Sequence, residues 1–217
     1  MLLKRLFDYS LAVFGIFISL PLWLLCAILI FIQDGLPIFY AQERVGRNAR
    51  LFKGYKFRSM IKNAEENIGP VQSEKGDLRV TRIGRILRIS AMDELPQLFN
   101  IARGDMSFVG PRALRPIEKE VNHDSTKSIF DFKGFKERSL AVPGLTGIAQ
   151  IFSPRDIPRE EKFKYDIWYI KNRSFLLDAY LIFISFIITF EGKWETRKER
   201  FYSLGANLKS RINKELD

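Results

Sequence analysis

Two adjacent carboxylates, Asp93 and Glu94, stand in the chain between groups of cations: Lys56, Arg58, Arg82, Arg85 and Arg88 precede them, and Arg112 and Arg115 follow. Phosphoryl transfer needs that combination, because catalysis there consists mostly of positioning and of stabilising charge on phosphate oxygens. The carboxylates would supply a nucleophile or base, and Lys56, Arg88 and Arg112 would neutralise the phosphates. A plainer role also fits. The pair directly precedes Leu95-Pro96-Gln97-Leu98-Phe99, so Asp93 can N-cap a helix, Glu94 can favour its dipole, and Pro96 falls in the first turn, where its missing N–H costs little. An arginine run is often a solvated face, and Arg82 and Arg85 also suit a basic stripe against lipid head groups.

Composition narrows the chemistry. The formal net charge of +10 and pI of about 9.7 call for an anionic partner, which on charge alone is nucleic acid, phospholipid or a phosphorylated substrate. Cys26 is the only cysteine and lies in an apolar run, so there is no intramolecular disulfide framework and no cysteine metal cluster. The single histidine, His123, sits in the polar stretch Val121-Asn122-His123-Asp124, which reads as a solvated loop. Triads and zinc sites built on several histidines are thereby excluded. Carboxylates and basic groups must carry the chemistry.

Several short elements must position these groups. Residues 37–41 and 51–57 are aromatic and short, separated by the turn-like Arg44-Val45-Gly46-Arg47-Asn48, and predict a two-stranded hairpin. Residues 61–78 predict a helix start and then a loop, broken at Gly69-Pro70 and Gly76-Asp77. From Arg79 to Ile89, arginines at 82, 85 and 88 alternate with Ile83, Ile86, Leu87 and Ile89. That pattern gives a basic amphipathic helix despite Gly84. Leu95–Ala102 predicts a short helix ending before Gly104, Ser107–Pro116 an irregular loop, and Pro143–Gly147 a turn. Glu160–Asn172 predicts a helix with the aromatic residues Phe163, Tyr165, Trp168 and Tyr169. Ala179–Phe190 is uncharged but too short to span a bilayer, so it is either core or an interfacial helix. The tail after Glu191 mixes both charge signs and predicts a solvated helix.

The longest apolar run opens the chain. From Tyr9 to Ile32 there are 24 uncharged residues, and about 20 suffice to span a bilayer as helix. A cleaved signal peptide is excluded by the length of the run and the lack of a small-residue cleavage site. Ser19-Leu20-Pro21 interrupts the middle: Pro21 removes a helical hydrogen bond and clashes with the carbonyl of Phe17, while the Ser19 hydroxyl can satisfy a freed backbone group. Both flanks are basic, with Lys4 and Arg5 before the run and Arg44, Arg47 and Arg50 after it, so the positive-inside rule separates neither end. A helix that enters the membrane, bends near Pro21 and leaves on the same cytoplasmic face satisfies both observations; a kinked spanning helix is the alternative. The expected fold is α+β and mainly helical, with a re-entrant membrane helix at 1–35, a cytoplasmic catalytic domain at the membrane surface over 36–190, containing interfacial amphipathic helices and the small β-hairpin, and a charged tail over 191–217.

Six ordered motifs together resemble one family, the small monotopic polyprenyl phosphate phosphoglycosyl transferases, or bacterial sugar transferases. They are Lys4-Arg5-Leu6-Phe7-Asp8, Tyr55-Lys56-Phe57-Arg58-Ser59-Met60, Ser90 through Asn100 around Asp93-Glu94, Gly104 through Arg112, Pro143 through Gln150, and Lys162-Phe163 onward to Asp178. The resemblance implies a membrane helix broken near a serine and proline, here Ser19 and Pro21, and amphipathic helices that sink the site to the membrane surface. It implies a ping-pong reaction in which the residue matching Asp93 attacks the sugar-bearing phosphate of a UDP-sugar, releasing UMP and leaving a phosphosugar on the carboxylate. The residue matching Glu94 assists polyprenyl (undecaprenyl) phosphate, whose attack yields polyprenyl diphosphate sugar. Mg2+ is implied as cofactor, with Asp93 as its ligand, and suits oxygen donors that bridge phosphates. The implied setting is the cytoplasmic face of the bacterial inner membrane, at the first membrane step of polysaccharide or glycoconjugate biosynthesis, with membrane lipids and no nucleic acid as partners.

The chain departs from the family's common pattern at three places. Ala113 stands where a second proline is common, Val142 where a basic residue often precedes the Pro-Gly turn, and Ser153-Pro154-Arg155 where Asn-Gly-Arg is frequent. The last keeps its arginine, so Arg155 joins the candidate phosphate-binding residues. The rival reading is a non-catalytic membrane-anchored module that docks anionic lipid or nucleic acid; it accounts for the charge and the anchor but not for Asp93-Glu94 flanked by Lys56, Arg88 and Arg112.

Overall fold

The computed structural model describes residues 2–66, 69, 76–119, 126–153 and 157–191, together with 208, 210, 212, 214 and 215. The chain is mainly helical. Its elements are α1 (Leu2–Asp34), β1 (Phe39–Val45), β2 (Leu51–Phe57), α2 (Arg82–Ile89), α3 (Gln97–Arg103), β3 (Ser107–Val109), β4 (Ile117–Lys119), β5 (Thr126–Ser128), α4 (Phe135–Arg138), β6 (Gly144–Thr146), α5 (Ile148–Phe152), α6 (Arg159–Asn172) and α7 (Phe175–Phe190). The described strands form three two-stranded sheets: β1 with β2 antiparallel, β4 with β5 antiparallel, and β3 with β6 parallel.

α1 is long and apolar enough to cross a membrane, and only 11% of its most apolar stretch is buried, so it is not the core helix of a soluble domain. It is one helical run from end to end, with Pro21 inside it. The break expected at Ser19 and Pro21 therefore takes no unwound form. Ser19 Oγ donates to Gly15 O (2.6 Å) and accepts from Trp23 Nε1 (2.9 Å), so it bonds a carbonyl one turn before itself, two residues ahead of Phe17, and ties a second side chain to the same stretch.

Both ends of α1 are fastened to the rest of the chain. At the first turn, Arg5 donates to Ile101 O (2.7 Å) and Ala102 O (3.1 Å), placing a cation on the carbonyls at the C-terminus of α3. Lys4 Nζ pairs with Asp178 Oδ2 at 2.6 Å, and Ser107 Oγ donates to Asp8 Oδ2 at 2.8 Å. The basic flank Lys4-Arg5 is thus engaged within the protein. At the last turn, Gln33 Oε1 accepts from Ile83 N (2.9 Å), and Arg58 Nη2 donates to Gly35 O (2.7 Å). Between the ends, Ala12 packs with Leu98, Ile101 and Met106, and Trp23, Cys26 and Ile30 pack with Phe57 and Leu87.

The hairpin forms, with its second strand at the expected residues 51–57 and its first shifted toward the C-terminus. β1 starts at Phe39 and runs on through Val45, pairing from Phe39 with Phe57 to Val45 with Leu51. Arg44 and Val45, expected in the turn, are strand residues; a short 3-10 segment at Arg47–Ala49 makes the connection, with Asn48 and Ala49 at positive φ. Residues 62–66 form turns where a helix start was expected. α2 begins three residues after Arg79, because Thr81 Oγ1 accepts from Gly84 N at 3.0 Å and caps it, while Arg79 pairs with Asp77. Gly84 is tolerated in α2 because the helix presses on β2's continuation: a Cβ there would lie 2.0 Å from Ser59 O.

The expected loop at Ser107–Pro116 opens as β3, and the expected turn at Pro143–Gly147 contains its partner β6. Three-residue strands some 35 residues apart leave no periodicity to read. α6 and α7 then close a core of Val109, Ile148, Ile151, Phe152, Trp168 and Tyr169 with Leu181, Ile184 and Ile188. α7 starts at Phe175, four residues earlier than its charge-free segment, with Ser174 as N-cap. It serves as core on one face and is exposed on the other, at Leu176, Phe183, Phe186 and Phe190. The described residues of the tail are helical, as expected, and residues 210, 214 and 215 are exposed, but the helix is not wholly solvated: Ile212 is fully buried in this core, and Glu215 Oε2 accepts from Trp168 Nε1 at 2.6 Å.

Candidate active site

The chain reverses sharply between α2 and α3. Ala91 adopts φ 54°, a left-handed conformation that costs a non-glycine residue on the order of 1–3 kcal/mol. The following 3-10 turn, Met92–Glu94, carries Asp93 into the interior at 6% exposure. α3 starts only at Gln97 behind Pro96, and no side chain caps it. The capping role is thereby set aside: Asp93 lies a turn too early.

β2 supplies the opposing cation. The two-residue period of the hairpin places Tyr40, Gln42 and Arg44 of β1 and Gly54 and Lys56 of β2 along one open cleft. Lys56 Nζ lies 2.5 Å from Glu94 Oε1 and 3.6 Å from Asp93 Oδ2. The distance between β2 and α3 is set by Asn100, which is fully buried, donates to Lys53 O (2.8 Å) and accepts from Tyr55 N (3.1 Å). Arg88, at the end of α2, donates from Nε to Ser59 Oγ at 2.9 Å. Arg112 reaches in from the opposite wall, its Nη2 3.5 Å from Glu94 Oε1.

The loop bearing Arg112 is fixed by glycines. Gly110 and Gly144 approach so closely that a Cβ on Gly110 would stand 2.3 Å from Val142 O, and one on Gly144 would stand 2.1 Å from Gly110 N. Their backbones exchange bonds through Gly110 N to Thr146 O (2.9 Å) and Gly144 N to Pro111 O (2.8 Å). The resulting cleft holds about 410 Å³ of empty space, open mouth included, and is walled by Gln42, Arg44, Lys56, Glu94, Gln97 and Arg112.

The two carboxylates are driven apart electrostatically. Burial pushes the Asp93 carboxyl above its ordinary value, and the Glu94 charge adds to this; Lys56, Arg88 and Arg112 pull the other way without prevailing. For Glu94 burial is again the largest single effect, but the charges of Lys56 and Arg112, the Lys56 hydrogen bond and Arg44 together outweigh it and hold it down at about 2. The pair therefore offers one firmly anionic group and one whose anion is poorly stabilised. Carboxylate pairs with separated proton affinities mark sites of acid, base or nucleophilic chemistry.

Five of the candidate phosphate-binding and carboxylate residues, Lys56, Arg88, Arg112, Asp93 and Glu94, converge here. Arg155 lies outside the described residues, as does His123. Ser19 and Pro21 belong to α1 and not to the cleft. Arg58 and Arg115 are occupied elsewhere, Arg58 at Gly35 O and Arg115 with Glu65 at 2.7 Å, while Arg82 and Arg85 are exposed on α2. Sequence reasoning missed Arg44, Gln97 and Asn100. Alternation along β1 would have found Arg44 had the strand been read through Val45.

A cation-lined cleft over paired carboxylates, beside an exposed apolar helix, suits work on phosphates at a membrane. The chain belongs to the bacterial sugar transferase family, which matches residues 1–192. It is similar to the UDP-N-acetylgalactosamine-undecaprenyl-phosphate N-acetylgalactosaminephosphotransferase of Aeromonas hydrophila, 38% identical over 83% of this chain and 42% of that one. It is similar also to the undecaprenyl-phosphate galactose phosphotransferase of Salmonella typhimurium, 34% identical over 83% of this chain and 39% of that one. The exopolysaccharide production protein ExoY of Sinorhizobium fredii is 36% identical over 83% of this chain and 82% of its own length. The chain thus spans about two fifths of the Aeromonas and Salmonella proteins and most of the Sinorhizobium one.

Proposed function

We propose that this protein transfers a sugar-1-phosphate from a UDP-sugar to undecaprenyl phosphate, releasing UMP, in bacterial exopolysaccharide or related glycoconjugate synthesis. The observation that carries the reading is the buried Asp93 carboxyl, set among Lys56, Arg88 and Arg112 with its proton affinity raised by burial. The Asp93 oxygen attacks the sugar-bearing phosphorus; its O–P bond forms as the bond to the UMP oxygen breaks, and UMP leaves with that electron pair. A poorly stabilised carboxylate is the more nucleophilic one. The phosphate oxygen of undecaprenyl phosphate then attacks the same phosphorus and returns Asp93 to its free state. Glu94, held anionic, fixes Lys56 and Arg112 toward the phosphates and assists the second attack.

Mg2+ fits this donor set. Among the described residues no three His, Cys, Asp or Glu side chains form a cage, but Mg2+ characteristically binds through one or two carboxylates plus substrate phosphates and retained waters. Asp93 would hold it, and when bound it would neutralise diphosphate charge.

The membrane arrangement follows from α1. A spanning helix carries its ends about 30 Å apart across the hydrocarbon, and only one of them can meet a domain confined to one surface. Lys4, Arg5 and Asp8 at one end and Gln33 and Gly35 at the other all bond the same body. This supports a re-entrant α1 bent at Pro21, with both ends cytoplasmic at the inner membrane. Exposed Ile86 and Ile89 on α2, Phe99 on α3 and the outer face of α7 supply apolar surface for an interfacial domain. Incubation of purified protein with a panel of UDP-sugars, Mg2+ and undecaprenyl phosphate tests the reading by UMP release; without the lipid acceptor, mass spectrometry should find a phosphosugar on Asp93. A protein that binds anionic vesicles but releases no UMP from any UDP-sugar is a docking module instead.

A further inference from the structure

The segment after Pro111 has no regular secondary structure beyond one bridge from Arg112 to Gly144, yet three consecutive carbonyls in it are tied down. Arg112 O accepts from Arg138 Nη2, Ala113 O accepts from Arg44 Nη1 (3.0 Å), and Leu114 O accepts from Val45 N (2.8 Å). The first tie comes from deep in the core. Arg138, at the end of α4, is 4% exposed, although it sits in the charged run Lys136-Glu137-Arg138. Its Nε donates to Asp166 Oδ2 at 2.7 Å, and its guanidinium lies over the Phe163 ring at 4.7 Å from the centroid. Asp166 and Phe163 both belong to α6, so the Arg112 carbonyl is tied to α6 through the Arg138 guanidinium.

A surface arginine normally loses much rotamer freedom when it engages a phosphate. Arg112 is half-exposed, and only its backbone is held by buried groups. We infer that Arg138 is a positioning residue, fixing the Arg112 peptide so that the guanidinium is preset beside Glu94 to meet the substrate phosphate. Asp166 is its orienting partner: with Nε committed to the carboxylate, Nη2 is directed at the Arg112 carbonyl. A guanidinium fork makes both contacts at once, and a lysine ammonium at the end of a flexible stem does not reproduce them.

This rests on the proposed transfer reaction, and the two can fail separately. Absence of UMP release by the wild-type chain overturns the reaction, whereas backbone exchange reads Arg138 whatever the reaction is. In Arg138→Gln, hydrogen exchange over residues 110–114 should accelerate while α1 and α3 keep their wild-type rates. The value of kcat/KM for the UDP-sugar should fall about tenfold or more, mostly in kcat, as for a small misplacement of a group acting on the transition state. In an Arg112→Ala background the same substitution should change kcat/KM by less than about twofold, because the group it positions is gone. Arg138→Lys should not restore the rate. Asp166→Asn, which keeps the shape of the side chain, should give the same pattern in weaker form and serves where Arg138→Gln does not fold. Equal losses with and without Arg112, unchanged exchange at residues 110–114, or full rescue by lysine would each overturn the inference.

Discussion

Lys56 Nζ stands between two carboxylates, 2.5 Å from Glu94 Oε1 and 3.6 Å from Asp93 Oδ2, and it is the largest favourable charge for each of them. Replacing it with methionine removes that charge while keeping the length of the stem. The Asp93 carboxyl, already raised, should rise further, and Glu94 should rise from about 2. The proposed attack requires the Asp93 anion, so kcat/KM should fall as pH drops through its folded-state value; in Lys56→Met that acid limb should move to higher pH. Stability carries the same sign. A carboxyl raised above its unfolded value penalises the fold at pH above that value, and the penalty disappears as pH falls below it. The melting temperature of Lys56→Met should therefore rise on mild acidification relative to wild type. A pH–rate profile that does not move would show that Lys56 does not govern the pair.

Asp93→Asn should abolish UMP release and covalent labelling while leaving the fold intact. An amide cannot serve as an anionic nucleophile toward phosphorus. It also removes the burial cost that raises the Asp93 carboxyl, and no helix cap is lost, because Asp93 caps nothing. Thermal unfolding should occur at or above the wild-type temperature. Measurable turnover in a folded Asp93→Asn protein excludes the mechanism.

The groups that meet at the cleft were more legible in the sequence than the frame that holds them. Asp93-Glu94 and its cations are polar groups in short motifs, and their identity alone limits what they can do. The amphipathic helix before Ser90, the Gly104 stop and the aromatic face of α6 follow local rules and lie within a few residues of their expected positions. What escaped depends on contacts distant in sequence. β3 and β6 are three residues each, and their register is fixed by glycines 34 positions apart that touch through their backbones. β1 alternates polar residues because one of its faces lines a cleft, so Arg44 read as part of a turn. Arg138 went unremarked and Lys4 read only as a flank of the apolar run, because nothing local shows that Asp166 and Asp178 lie opposite them.

The cation clamp should be steep and specific to guanidinium. Arg112→Ala and Arg88→Ala should each lower kcat by about two orders of magnitude or more, the scale of removing one transition-state charge stabiliser. Lysine at either position should rescue poorly, since a point charge lacks the planar fork that matches phosphate. Arg103, whose side chain is 65% exposed and pairs only loosely with Asp105 at 3.6 Å, supplies the control: Arg103→Ala should stay within about twofold of wild type, as surface pairs contribute little. Steady-state UMP release for the five variants checks this, and full rates in both alanine variants would place the site elsewhere.

The topology of α1 can be decided by labelling. Leu3 and Arg47 flank the apolar run, and Leu3 is 73% exposed, so a cysteine at either site is reachable from whichever compartment it faces. Cys26 is buried in α1, and a Cys26→Ser background leaves one reporter at a time. With both ends of α1 bonded to the same body, an impermeant maleimide added to sealed cells should label neither site, and permeabilisation should expose both. Pro21→Leu restores a helical hydrogen bond and removes the clash with the carbonyl of Phe17. Straightening would have to break the bonds of Arg5 to α3 or of Gln33 to α2, so the variant should lose activity and stability before it reverses an end. Labelling of Leu3→Cys from outside in the presence of Pro21 would establish a spanning helix and refute the re-entrant arrangement.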